Sequence, residues 1–202
     1  PNALVTTGTG GRTEANTRAT MIELHEGLTA RSQNRWPSLN FDVGAVNGLL
    51  SPFLSAGFYY KTFMWPPAFW EKVYEPLIRN AAGLGKASYE TDPDSYEKCW
   101  THCDLLVIGA GPTGLAATLT AGRAGARVLL ADEGFALGGS LLAEPGSHLR
   151  EMLDELDGLP NVQCLPRTTV IGWYDDNVFG AVERVQKHVA TPEAHRPVER
   201  PW

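Results

Sequence analysis

Gly109, Gly111 and Gly114 stand in G-x-G-x-x-G spacing directly behind the apolar run "LLVI". In that spacing each glycine serves a separate physical purpose. The first allows a tight turn, the second lets a phosphate approach the backbone, and the third lets helix and strand pack closely. Behind them "PTGLAATLTAGRAG" is rich in small residues and helix formers. Its N-terminus offers N–H groups and the positive end of a helix dipole to a pyrophosphate. Asp132 follows Gly109 by 23 positions, where an acid accepts hydrogen bonds from a ribose diol. The chemistry expected is recognition of a dinucleotide. An acid at that place disfavours a 2'-phosphate, and no arginine follows it, so NADP is not expected.

These residues need a strand, a helix and a second strand to hold them. Leu105–Ile108 is expected as a strand buried on both faces of a parallel sheet, because it is short and continuously apolar. The helix should end at Gly125, and "ARVLLA" should form the second strand, finishing at Asp132 and Glu133. Thr118, four residues after Gly114, stands where a smaller residue is commoner, and its hydroxyl is expected to bond back to an earlier carbonyl. In "GFALGGSLL" the pair Gly138 and Gly139 suits a second approach of backbone to phosphate, or else a plain flexible loop. A helix around "HLREMLDELDGL", a third parallel strand at "NVQCL" and two strands joined at Asp175 to Asn177 complete the expected elements. The fold class expected is α/β, an incomplete doubly wound, Rossmann-like parallel sheet of the FAD/NAD(P)-binding type, preceded by an irregular, aromatic-rich α+β segment.

That preceding segment, residues 1–103, holds 14 of the 19 aromatic residues, among them Phe58, Tyr59, Tyr60, Phe63, Trp65, Phe69, Trp70 and Tyr74. Short strands around the turn "TGTGGR" are expected first. Pro52, Pro66, Pro67 and Pro76 then break the chain into short helical pieces, with one helix opened by proline and closed by Gly83 or Gly85. "SYETDPDSYEKCW" reads as a polar connector. So many aromatics beside so much proline point either to an irregular core or to a surface that packs on another chain. Residues 104–202 are expected to be the N-terminal part of a dinucleotide-binding domain.

Composition narrows the classes. With 43% hydrophobic residues the chain can bury one good core or two small ones. A net charge of -6 gives no basic field for nucleic acid or an anionic membrane, and the apolar runs are far short of a bilayer span. Cys99, Cys103 and Cys164 are an odd count without framework spacing, which fits a reducing, cytoplasmic setting. "CWTHC" resembles half a zinc site, but no second half appears, so buried or half-buried thiols are expected. His25, His102, His148, His188 and His195 are scattered, and each is expected to be solvated or structural. The chain opens on "PNALV" and stops at "TPEAHRPVERPW" before the further strands of a complete nucleotide domain, so a piece of a longer polypeptide is expected.

The strings "QNRWPSL", "AGFYYKTFMWP" and "FWEKVYEP", followed by the glycine motif and "ADEGFALGGSLL", resemble the alpha subunit of heterotetrameric sarcosine oxidases over essentially the whole chain. The resemblance implies a complex of alpha, beta, gamma and delta chains that oxidises sarcosine to glycine and hydrogen peroxide. The one-carbon unit leaves as formaldehyde or passes to tetrahydrofolate, bound beyond Trp202. FAD and FMN are implied mainly on the beta chain or at its interface with alpha, and NAD on alpha itself. Carried over by position, Gly109, Gly111, Pro112, Thr113 and Gly114 would wrap the NAD pyrophosphate. Gly138, Gly139 and Ser140 would support the phosphates from the other side. Asp132, less so Glu133, would hold the adenosine ribose, and the backbone at Val170 would meet adenine. No residue matches a catalytic base or a covalent flavin attachment site.

Two other classes fit the same motif. One is a free-standing FAD-dependent pyridine-nucleotide reductase, though "LGGSLL" carries Ser140 where such enzymes often hold a redox cysteine. The other is a nucleotide-binding scaffold whose ligand never turns over.

Overall fold

The computed structural model describes residues 3–49, 52, 57, 63, 65–146 and 148–202. The chain divides into two compact units, 1–22 with 27–93 and 23–26 with 94–202. Phe58, Tyr59 and Tyr60, singled out above, lie outside the described residues.

In the first unit, β1 (Leu4–Thr7) pairs antiparallel with both β2 (Glu14–Arg18) and β3 (Ala30–Ser32), giving the order β2-β1-β3. Gln33 fastens this sheet. Its side-chain amide donates to the Asn16 side-chain oxygen at 2.9 Å and to the Gly83 carbonyl at 3.0 Å, and its oxygen accepts from the Asn16 N–H at 2.8 Å. A single turn, α1 (Val46–Leu49), comes next. After Pro66, a 3-10 turn Pro67–Phe69 and a π-turn Trp70–Tyr74 lead into α2 (Glu75–Ala81). Pro76 accounts for the widened turn, because its ring cannot donate to Lys72 and would crowd that carbonyl. Gly83, in the left-handed region at φ 70°, ends the helix. The Gly83 N–H donates to Asn80 and the Leu84 N–H to Arg79, a Schellman closure.

Among its described residues the first unit holds no buried apolar side chain, and Trp65 is 81% exposed. Tyr74 gathers local partners: its ring lies 5.2 Å from Phe63 and 6.3 Å from Phe69, and its hydroxyl donates to the Trp65 carbonyl at 3.1 Å.

The second unit is a parallel sheet with an antiparallel one behind it in sequence. β4 (Leu105–Ile108), β5 (Val128–Ala131) and β6 (Val162–Leu165) pair parallel in the order β4-β5-β6. α3 (Pro112–Arg123) connects the first two, and α4 (Leu149–Asp157) the second and third. β7 (Thr168–Tyr174), β8 (Val178–Arg184) and β9 (Glu199–Pro201) form the antiparallel sheet in that order. The βαβαβ order and three parallel strands make this an incomplete Rossmann-like sheet.

The core lies between α3, α4 and β5, around Ala110, Leu115, Leu119, Leu130 and Leu156. Asn161 locks α3 to the sheet, donating from its amide to the carbonyls of Gly122 at 2.9 Å and Ala126 at 2.6 Å. β5 behaves as the doubly buried strand, with all four residues buried. β4 does not. Leu105 is 37% and Ile108 59% exposed, because β4 pairs with β5 alone and forms the edge of the sheet. Burial of β4 on both faces is thus not observed: continuous apolarity in "LLVI" suits a strand inside a full sheet, whereas here the strand borders a three-stranded one.

Leu130, fully buried on the central strand, gives the first prediction. Leu130→Ala should lower stability by about 2–5 kcal/mol through the cavity it leaves. Leu130→Met should cost under about 1.5 kcal/mol. Denaturant midpoints at constant slope would read both, and equal losses would displace Leu130 from the centre of the core.

Candidate functional site

β4 delivers the chain to Gly109, whose N–H still pairs with the Ala131 carbonyl at 2.8 Å and whose φ of 97° turns the backbone away from the sheet. Gly111 caps α3 in extended geometry, and Pro112 occupies the first helical turn, where a missing N–H costs nothing. α3 then starts hard against the strand it follows. A Cβ on Gly114 would stand 1.9 Å from the Gly109 carbonyl oxygen, so the third glycine is required by packing. Thr118 is fully buried and its hydroxyl donates to the Gly114 carbonyl at 2.8 Å, as expected of it.

The second glycine differs from the third. Among the described residues, a Cβ on Gly111 would meet nothing within 4 Å. Its backbone angles, φ -71° and ψ -177°, suit any residue. Glycine here serves neither a strained turn nor an internal contact. What the position has is open space beside the N-terminus of a 12-residue helix, whose first N–H groups have no partner within the helix. That is a cradle of the kind a phosphate fills and a Cβ would block.

Gly138 and Gly139 close on the same loop. The Gly138 N–H donates to the Ala110 carbonyl at 2.8 Å, and a Cβ on Gly139 would stand 2.9 Å from the Gly111 Cα. Their φ values of 136° and 55° both lie where side chains are strained. Ser140 follows on an exposed 3-10 turn, Gly139–Ala143.

Asp132 joins the parts. One carboxylate oxygen, Oδ2, accepts from the Ala110 N–H at 2.6 Å, and the other, Oδ1, accepts from the Gly134 N–H at 2.7 Å. A carboxylate offers about four lone-pair sites, so two acceptor positions remain for hydroxyl groups. Gly109, Gly111, Gly114, Asp132, Gly138 and Gly139 are therefore assembled around one short loop, with Pro112 and Thr113 at the helix start. Glu133 is half-buried on the same turn. Val170 lies two residues beyond Thr168, whose N–H binds the Asp132 carbonyl, and it pairs with Ala181 on β8.

Several residues around this turn carry no local signal in the sequence. Arg184 donates to the Glu133 carbonyl from 51 residues away, so an arginine does accompany the acid, brought by β8 rather than by the local sequence. Arg167 pairs with Glu23 through two bonds of 2.6 and 2.7 Å, across 144 residues. That pairing holds the Glu23 carboxyl below its ordinary value. His188 carries a buried Nδ1 with no hydrogen-bond partner among the described residues.

Residues 104–184 match the family of FAD dependent oxidoreductases. Over its full length the chain is similar to the alpha subunit of sarcosine oxidase. Identity to that subunit from Rhizobium meliloti (strain 1021) is 72% over 210 residues, covering 100% of this chain and 21% of the relative. The alpha subunits from Corynebacterium sp. strains P-1 and U-96 are 42% and 38% identical over 54% and 55% of this chain. Each is covered over 12% of its own length. The chain thus spans about a fifth, or less, of the curated relatives it matches.

His188 gives a pH prediction. Burial, and next the Arg167 charge, hold its imidazole below the ordinary 6.5. The folded state therefore favours the neutral ring, and this contribution is present above pH 6.5 and lost as pH falls through the lowered value. Thermal melts between pH 7.5 and 5 should show His188→Gln losing less stability than the parent. Equal losses would remove His188 from the acid sensitivity of this unit.

Proposed function

We propose that this chain is the nucleotide-holding segment of the alpha subunit of a multi-subunit, flavin-dependent sarcosine oxidase, and that it holds NAD. The open cradle at Gly111, beside the start of α3 and joined to the Asp132 carboxylate through the Ala110 N–H, carries the nucleotide part. Identity of 72% over the whole chain supports the oxidase part. Gly109, Gly111, Pro112, Thr113 and Gly114 would hold the pyrophosphate from the helix side, and Gly138, Gly139 and Ser140 from the other. Asp132 would take the ribose diol, with Glu133 as the lesser candidate, and the Val170 backbone would meet adenine.

When bound, NAD supplies hydride exchange or serves as a fixed structural ligand. In this proposal sarcosine, O2 and water give glycine, hydrogen peroxide and formaldehyde, or the carbon passes to tetrahydrofolate held elsewhere in the alpha chain. FAD and FMN, held mainly by the beta chain, carry that chemistry, and this segment contributes binding and interface. Beta, gamma and delta chains are the partners. The exposed aromatic and apolar side chains of the first unit support an interface there. Three cysteines without disulfides suit a cytoplasmic setting.

A second reading has its own support. The match of residues 104–184 to FAD dependent oxidoreductases supports FAD on the same loop, to which both dinucleotides present the same ADP half.

Gly111→Val tests the cradle shared by both readings. The backbone there suits valine and the side chain meets open space, so the variant should fold. It should retain about a tenth or less of the nucleotide held by the parent. A folded variant with full occupancy would sink the phosphate assignment.

A further inference from the structure

The acid turn Asp132–Gly134 presents three carbonyls, and each is held from the second sheet or the residue that leads into it. Asp132 accepts from the Thr168 N–H at 2.7 Å and Gly134 from the Arg167 N–H at 2.8 Å. Those two bonds are main-chain and form whatever the side chains are. The third differs, because the Glu133 carbonyl accepts from the Arg184 guanidinium.

That carbonyl belongs to the peptide unit whose other end is the Gly134 N–H. Gly134 donates to Asp132 Oδ1 at 2.7 Å. A peptide unit is planar and rigid, so fixing its carbonyl fixes the direction of its N–H. Arg184, one peptide plane and one Asp132 oxygen therefore form a continuous line. The other oxygen continues it to Ala110 in the glycine loop at 2.6 Å. A cationic donor on the carbonyl also polarises the peptide and strengthens the bond its N–H makes.

Arg184 is itself well placed for this. Its backbone N–H donates to the Arg167 carbonyl at 3.0 Å, and it pairs with Glu199 on β9. These main-chain bonds survive loss of the side chain. The neighbouring Arg167 side chain is engaged by Glu23.

We infer that Arg184 is a positioning residue for nucleotide recognition: it sets the Glu133–Gly134 peptide plane and so holds the Asp132 carboxylate toward the ribose 2'-hydroxyl. This rests on the nucleotide reading above and adds to it a determinant of ribose discrimination. ADP, the half common to NAD and FAD, is the suitable probe, with 2'-deoxy-ADP as its partner.

The experiment uses the full-length protein, stripped of nucleotide, with dissociation constants from titration calorimetry. A hydroxyl bound to a carboxylate should make 2'-deoxy-ADP bind roughly tenfold or more weakly than ADP in the parent. Asp132→Asn should remove most of that ratio. In R184M the ratio should fall below about threefold, while 2'-deoxy-ADP binding stays near the parent's, and R184K should restore part of it. R184Q supplies the same readout if R184M melts below the assay temperature. A variant that weakens both probes equally and keeps the ratio would overturn the positioning role and leave a structural one. A parent that binds ADP without discrimination would overturn it as well. A parent that binds neither probe would remove the nucleotide reading itself.

Discussion

The first turn of α3 can lie against the end of β4 only because position 114 has no side chain. A Cβ there would come 1.9 Å from the Gly109 carbonyl oxygen, a distance no rotamer relieves. That contact brings the helix N-terminus to the mouth of the parallel sheet and leaves its unpaired N–H groups facing outward beside Gly111. The rest of the unit is arranged around it. Leu115 and Leu119 on the next turns fill the space above β5, Thr118 satisfies the Gly114 carbonyl, and the Gly138 N–H covers Ala110 from the far side.

The acid turn depends on the same contact from the other direction. Asp132 follows the central strand and reaches the glycine loop through Ala110, while the carbonyls of Asp132, Glu133 and Gly134 accept from Thr168, Arg184 and Arg167 in turn. The parallel sheet and the antiparallel one are thus joined through the main chain of this one turn. Such an arrangement holds the Asp132 carboxylate by two bonds and leaves the residue half-buried. The two units differ in how they reach stability. The second owns the buried core, whereas the first, among its described residues, relies on hydrogen bonds such as those of Gln33 and on aromatic contacts that stay partly exposed.

Local sequence carries much of this. The strand, glycine turn, helix and second strand are legible because each signal lies within a few residues of the structure it specifies. Thr118 is legible for the same reason, its partner being one helical turn away. Exposure of β4 is not legible, since burial of an apolar strand depends on how many neighbours it has. Nor are Arg184 and the Arg167–Glu23 pair, whose partners are 51 and 144 residues distant and are chosen by sheet pairing rather than by motif. Glycine at position 111 shows the complementary case: nothing among the described residues requires it, and a bound phosphate is the reason proposed for it.

The most direct test of that reason is to denature the purified full-length protein and identify the released nucleotide by mass spectrometry against protein concentration. An adenine dinucleotide, NAD, is expected at close to one per chain. Release of no dinucleotide attributable to this chain, from protein that is otherwise folded and active, would contradict it.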